Sequence, residues 1–263
     1  MKYVVVTGAC GGMGRAVARR LASLGYFVFG IDKTAPSPEE NLLPIRADLT
    51  CDADVEAAFA KIREHTDALF AVVHFAGIYL LDSLVEIEPE KMARAFDINL
   101  LGVYRVNRAA TPLLTRGSRI IITTSELAPL DPLPFTGIYA VTKSALDKYA
   151  YSLRMELQLL DIKVTVLRPG AVETDMLGVS TAALDRFCES TEYYSCNARR
   201  FKKIVDSVES RSISTEKIAK KTAKILASRA PRYVYTVNAN PLLKLLSLLP
   251  KRLQTFIIRI ILK

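Results

Sequence analysis

Tyr139 and Lys143 stand four positions apart in a helix-compatible run, a spacing that puts both side chains on one helical face. A tyrosine hydroxyl titrates near ~10 when unperturbed, too high for efficient proton exchange at neutral pH. An ammonium group beside it stabilises the phenolate and lowers that value, which makes the pair a candidate acid/base. Tyr and Lys meet at this spacing in many helices by chance, so the pair needs support from elsewhere in the chain.

The support begins at the N-terminus. A Val-rich run, Tyr3-Val4-Val5-Val6, leads into Thr7-Gly8-Ala9-Cys10-Gly11-Gly12-Met13-Gly14 and then into an Ala/Leu/Arg-rich helix. Glycines at such a turn permit the tight bend, let the backbone approach a pyrophosphate, and allow close packing of helix on strand. Phosphate charge then meets the positive end of the helix dipole and its unpaired N–H groups. The next apolar run, Phe27 to Ile31, ends in Asp32, close to the ~20 residues expected between the glycines and a ribose-binding acid. A carboxylate there accepts from both ribose hydroxyls and repels a 2′-phosphate, which favours NAD over NADP. Lys33 follows directly and softens that preference. Asp48 either meets the adenine or caps a helix, and both readings stay open.

Elements that could position these groups alternate along the chain. Strands are expected at 2–6, 26–31, 43–46, 68–74, 118–124, 162–168 and 232–236. Helices are expected near 12–24, 52–65, 90–115, 137–160 and 215–229. Apolar runs without polar alternation read as strands buried on both faces. Strand–helix repetition of this kind gives right-handed crossovers and a parallel sheet covered on both sides, with ligands outside the carboxyl ends of the strands. The expectation is an α/β fold: a Rossmann-type, doubly wound, seven-stranded parallel sheet in a single domain over residues 1–239. Residues 175–212 break the rhythm and read as a substrate lid. A basic amphipathic tail follows at 240–263.

Thr7-Gly8-x3-Gly12-x-Gly14, Asp48, Ala76-Gly77, Asn99, Ser125, Tyr139-x3-Lys143 and Pro169-Gly170-x3-Thr174 occur in that order. Together they resemble the short-chain dehydrogenase/reductase family over roughly residues 2 to 236, with the hydroxysteroid and retinol dehydrogenases as the nearest likeness. The resemblance implies that Tyr139 exchanges a proton with the substrate oxygen while Lys143 binds the nicotinamide ribose and depresses the tyrosine pKa. It further implies that Ser125 hydrogen-bonds the substrate oxygen and that Asn99 holds a water in the proton relay. Pro169, Gly170, Val172 and Thr174 would orient the nicotinamide. Gly8, Gly11, Gly12, Met13 and Gly14, with Asp32, Lys33, Asp48, Leu49, Ala76 and Gly77, would complete the cofactor site. Where the family usually reads Asn-Asn-Ala-Gly this chain reads His74-Phe75-Ala76-Gly77, and a structural hydrogen-bonding role is favoured for His74. The implied reaction interconverts an alcohol with a ketone or aldehyde by hydride transfer. The alternative is a catalytically silent dinucleotide-binding sensor, against which the intact Asn99, Ser125, Tyr139 and Lys143 count.

Lid residues Met176, Leu177, Val179, Leu184, Phe187, Tyr193 and Tyr194 point either to a lipophilic alcohol or carbonyl substrate, such as a steroid or retinoid, or to plain packing of the lid. The charge is +9 and unevenly placed: residues 196–263 hold 16 Lys+Arg against 3 Asp+Glu. A basic end on a near-neutral body fits an anionic surface or substrate better than nucleic acid. In the tail, Pro250 interrupts the leucines, so neither half reaches the ~20 residues needed to span a bilayer. A basic helix pair lying in a membrane interface is slightly favoured over a tail packed on its own domain or on a second subunit, covering the substrate mouth. Four cysteines without paired ligand spacing and two histidines leave no expected metal site, and reduced thiols point to the cytoplasm, with membrane association through the tail. A homodimer or homotetramer built through the helices at 90–115 and 137–160 is what the resemblance implies.

Overall fold

The computed structural model describes residues 1–35 and 38–263, with the side chains of residues 175–181 and 209 outside the described part. Met176, Leu177 and Val179, counted above as lid residues, therefore lie outside the described side chains. The strands are β1 (Lys2–Thr7), β2 (Tyr26–Asp32), β3 (Leu42–Arg46), β4 (Leu69–His74), β5 (Leu114–Thr123), β6 (Lys163–Pro169) and β7 (Val234–Val237). They form one sheet in the order β3-β2-β1-β4-β5-β6-β7, and every pairing is parallel. The order reverses between β1 and β4, which opens the crevice where ligands of such sheets bind. Val4, Val5 and Val6 are fully buried, because helices cover both faces; this is why β1 shows no polar alternation.

The covering helices are α1 (Gly12–Ser23), α2 (Asp52–Arg63), α3 (Pro89–Phe96), α4 (Gly102–Ala110), α5 (Gly137–Leu157) and α8 (Thr215–Ala227). On one face Phe59, Ile62, Val106 and Leu146 pack against the sheet. On the other, Val17, Leu21, Ile218 and Leu226 do. The single helix expected over 90–115 is interrupted. A π-helical segment at Asp97–Leu101 joins α3 to α4, and it carries Asn99; such insertions gather at functional sites.

The lid expected at 175–212 is two helices, α6 (Asp175–Ser190) and α7 (Ser195–Glu209), and the tail is a further pair, α9 (Pro241–Leu248) and α10 (Lys251–Leu262). Away from the sheet a third core joins them: Leu184, Phe187, Phe201 and Leu262 pack with Leu81 and Phe135. Leu262 is 6% exposed, worth roughly 1.5–3 kcal/mol for a side chain taken out of water. Hydrogen bonds add to it: Gln254 Nε2 donates to Asp131 Oδ2 at 2.9 Å, and Asn197 Nδ2 to the Leu262 carbonyl at 2.6 Å. Lys251 pairs with Asp131. One face of the tail thus packs on its own domain, the reading the sequence slightly disfavoured. The sequence hides this because the partners, Asp131 and Phe135, lie more than a hundred residues upstream.

Candidate active site

Tyr139 sits in the first turn of α5, with its ring edge-on to Tyr79 at 4.6 Å between centroids. Ser125 lies just beyond the carboxyl end of β5, close enough to the Tyr139 phenol to lower its pKa. One turn along α5, Lys143 is buried and its Nζ donates to the Thr123 carbonyl at 3.2 Å. Desolvation pushes the phenol up, Ser125 pulls it down and the Glu126 charge raises it again, to about 12. Lys143 is not among the groups that shift the phenol. Its Nζ stands 5.7 Å from the ring centroid and turns to Thr123, while burial brings the ammonium itself down to about 8.

Asn99 is buried and its amide is fully engaged. Nδ2 donates to the Ile78 carbonyl at 3.0 Å and to Thr142 Oγ1 at 3.1 Å, and Oδ1 accepts the Ile78 N–H at 2.8 Å. What the side chain does here is clamp the strand-end loop after β4 onto α5. Gly77 fits beneath it, since a Cβ there would stand 3.1 Å from Asn99 Oδ1 and 3.4 Å from Lys143 Nζ.

The glycine turn fits a dinucleotide. Gly8 takes φ +69°, and a Cβ on it would come within 2.6 Å of the Ala76 nitrogen. A Cβ on Gly14 would meet the Gly8 carbonyl at 2.0 Å, so the helix can start this close to the strand only without one. Gly11 is the N-cap of α1; no side chain caps the helix and no acid sits in its first turn. That leaves first-turn N–H groups for an anion. Asp32 lies at the end of β2, where Oδ2 accepts the Cys10 N–H at 2.9 Å, fixing the carboxylate beside the turn. Lys33 is drawn away from it, onto Asp48 at 2.8 Å. Burial raises the Asp48 pKa, but Lys33 and the Thr50 N–H and hydroxyl outweigh it, to about 2. Asp48 closes an Asx turn through Thr50, and Cys51 is the N-cap of α2, so the capping alternative for Asp48 is excluded. Leu49 is buried in the core under Gly102.

The loop after β6 closes the cofactor end. Thr174 lies against Gly12, where a Cβ would touch its methyl at 2.8 Å, and the Gly170 N–H donates to the Val237 carbonyl at 2.8 Å. Val172 bridges to Ile213. One cavity of about 540 Å³ runs from Met13, Val172 and Thr174 to Ser125, Tyr139 and Lys143. Its far wall is largely apolar: Phe201, Ile204 and Val208 from α7, then Leu243, Leu246 and Ile258 from the tail, with Lys203, Ser207 and Arg211 also lining the cavity. Leu184, Phe187 and Tyr194 instead pack against Phe135 and Tyr193 is exposed, so none of these four lines the cavity.

His74 behaves as expected, as a structural group. It is buried, its Nε2 lies 2.9 Å from Asn107 Oδ1, and Asn107 in turn donates to the Tyr149 hydroxyl at 3.1 Å. The link runs from strand to helix rather than from strand to strand. Burial lowers its pKa to about 4, so it is neutral. Tyr79, Glu126 and the α7 residues Phe201, Ile204 and Val208 were missed in the sequence. The stripe Phe201, Ile204/Val205, Val208 was the one available signal, a helical apolar face in α7.

The pattern of the family described as short chain dehydrogenase matches residues 2–185. Over 189 residues the chain is 32% identical to estradiol 17-beta-dehydrogenase 2 of Mus musculus, covering 67% of this chain and 50% of that one; it spans about half the length of that relative. It is 25% identical to 3-ketodihydrosphingosine reductase of Bacteroides thetaiotaomicron, over 98% of this chain and 97% of the relative. A short chain dehydrogenase/reductase of Burkholderia phymatum, solved in complex with NAD, superposes with a TM-score of 0.74 at 23% identity, over 89% of this chain and 88% of that one, and shows the same fold. The chain belongs to the short chain dehydrogenase family.

Proposed function

We propose that this chain is an NAD-linked oxidoreductase that interconverts a lipophilic alcohol with its ketone or aldehyde, with Tyr139 as the proton-exchanging group. The observation that carries the reading is the single cavity in which Ser125, Tyr139 and Lys143 meet the glycine turn and the Pro169–Thr174 loop. A nicotinamide bound there supplies or accepts the hydride. The remaining work falls to the chain. Ser125 holds the substrate oxygen near the phenol, Asn99 keeps the Ile78 loop and α5 in register, and Lys143 faces the Gly77 side of the site. At about 12 the phenol keeps its proton at neutral pH, the state that donates to a carbonyl oxygen; alcohol oxidation requires positive charge brought beside it.

Three further features refine the reading. Asp32 favours NAD, because a 2′-phosphate would be pressed against a fixed carboxylate. The apolar far wall favours a steroid, retinoid or long-chain substrate, in keeping with the names of the two relatives. The tail carries exposed Leu245, Leu248, Leu253, Phe256 and Ile260 outside the cavity lining among five cations and no acid, which favours peripheral contact with an anionic membrane. No helix among the described residues is long and apolar enough to cross one. Leu101, Tyr104, Val141, Tyr151 and Met155 are exposed on the π segment, α4 and α5, an apolar surface that supports a homodimer or homotetramer through these helices.

The test is NAD reduction across a panel of hydroxysteroids, retinol and long-chain secondary alcohols. Wild type turns over members of the panel, and Tyr139→Phe loses ~10²–10⁴ in rate with NAD affinity unchanged. A protein that binds NAD tightly, turns over nothing and matches its Tyr139→Phe variant would instead be a dinucleotide-binding sensor.

A further inference from the structure

Glu126 follows Ser125 and is buried beside it at the cavity wall, and besides raising the Tyr139 phenol its carboxylate makes a contact that the proton chemistry above does not use. Its backbone N–H donates to the Pro169 carbonyl at 3.0 Å, which holds the residue between the serine loop and the nicotinamide loop. Its Oε2 accepts the Asn240 N–H at 2.6 Å, across 114 residues. Asn240 is the N-cap of α9, and its own Oδ1 accepts the Leu242 N–H. The carboxylate therefore grips the first residue of the tail, at the helix end whose dipole attracts negative charge. Gly170 leaves room for this reach, because a Cβ there would stand 2.9 Å from Glu126 Oε1. Immediately beyond the contact, Leu243 and Leu246 form the cavity's far wall.

We propose that Glu126 is a positioning residue that seats the start of α9 over the cavity, so that the serine loop itself holds the apolar wall in place. The tail is then part of the substrate site rather than an appendage, and what Glu126 sets is the fit of long apolar substrates. The contact is stated on geometry alone, while its consequence for substrate rests on the reading of the cavity given above.

Two measurements test it. Limited trypsin digestion of the full chain reports tail docking without needing turnover: in Glu126→Ala, cleavage at Lys244, Lys251 and Arg252 runs about tenfold faster, the loss of one charge-assisted hydrogen bond. In Glu126→Gln the side-chain carbonyl still accepts the Asn240 N–H, so protection returns. Asn240→Pro, whose φ of −80° already suits proline, removes the N–H donor without touching Glu126; it exposes the tail more than Asn240→Ala, which loses only the cap. In NAD-coupled assays Glu126→Ala raises KM for long-chain secondary alcohols about tenfold and leaves short-chain ones within twofold, with kcat less affected, and Glu126→Gln restores KM. A tail as protected in Glu126→Ala as in wild type overturns the proposal, as does a folded Glu126→Gln that behaves like Glu126→Ala. Absence of turnover on every alcohol defeats the substrate reading but leaves the digestion result to decide the contact.

Discussion

The cofactor half and the substrate half of this molecule are built on different terms. Around the glycine turn, position is fixed by backbone: Gly8 at φ +69° and Gly14 against the Gly8 carbonyl allow no side chain, and few other residues can stand there. Around the far wall, position is fixed by side chains packing between remote helices, where any apolar residue of suitable size serves. The first half can therefore recur with little change over many reactions, while the second can vary to suit a substrate. The difference teaches where specificity is to be altered and where it is not.

If the two halves are separate in this way, changes in one should leave the other's readout alone. The largest expected effect is on stability. His74 titrates near 4 in the folded chain against ~6.5 unfolded. Between those values the unfolded chain binds a proton that the folded one refuses, so stability falls as pH drops from about 6.5 to about 4 and levels off below. The contribution is roughly 3 kcal/mol. Denaturant unfolding of His74→Gln over this range should lose that slope; an unchanged slope would show that His74 is not the titrating group.

Next in size, Asp32→Ser should weaken NAD by roughly 2 kcal/mol, about thirtyfold, through lost charge-assisted hydrogen bonds, and should improve NADP. Calorimetry with both dinucleotides reads this directly, and KM ratios among substrates should not move. Wild-type protein that already binds NADP as tightly as NAD would remove the carboxylate as discriminator. The smallest effect belongs to the far wall. Leu246→Ala, at a half-buried position, should cost a lipophilic substrate roughly 1 kcal/mol, about fivefold in KM, with NAD affinity intact. A parallel loss of NAD affinity would break the separation of the two halves.

Legibility followed the same division. The seven strands and their parallel pairing were readable, since buried parallel strands leave apolar runs and the glycines mark the first crossover. Tyr139, Lys143 and Ser125 were readable because their spacing is set by one helix and one strand end. The helix over 90–115 was readable as helix, but not its π segment, because apolar periodicity through Leu100 and Val103 is nearly the same with one residue inserted. Glu126 left no signal: its partner Asn240 lies 114 residues away, and neither residue type announces the other.

By itself the sequence determined the sheet, the glycine turn and the placing of Tyr139 and Lys143 on one helical face, because each depends on backbone constraints satisfied within a few residues. Tertiary structure alone decided that the tail forms the wall of the cavity, that Glu126 grips its first residue, and that burial holds the Tyr139 proton more tightly than an isolated Tyr–Lys pair implies. Desolvation and long-range contact are properties of what surrounds a group, and those surroundings exist only once the chain has folded.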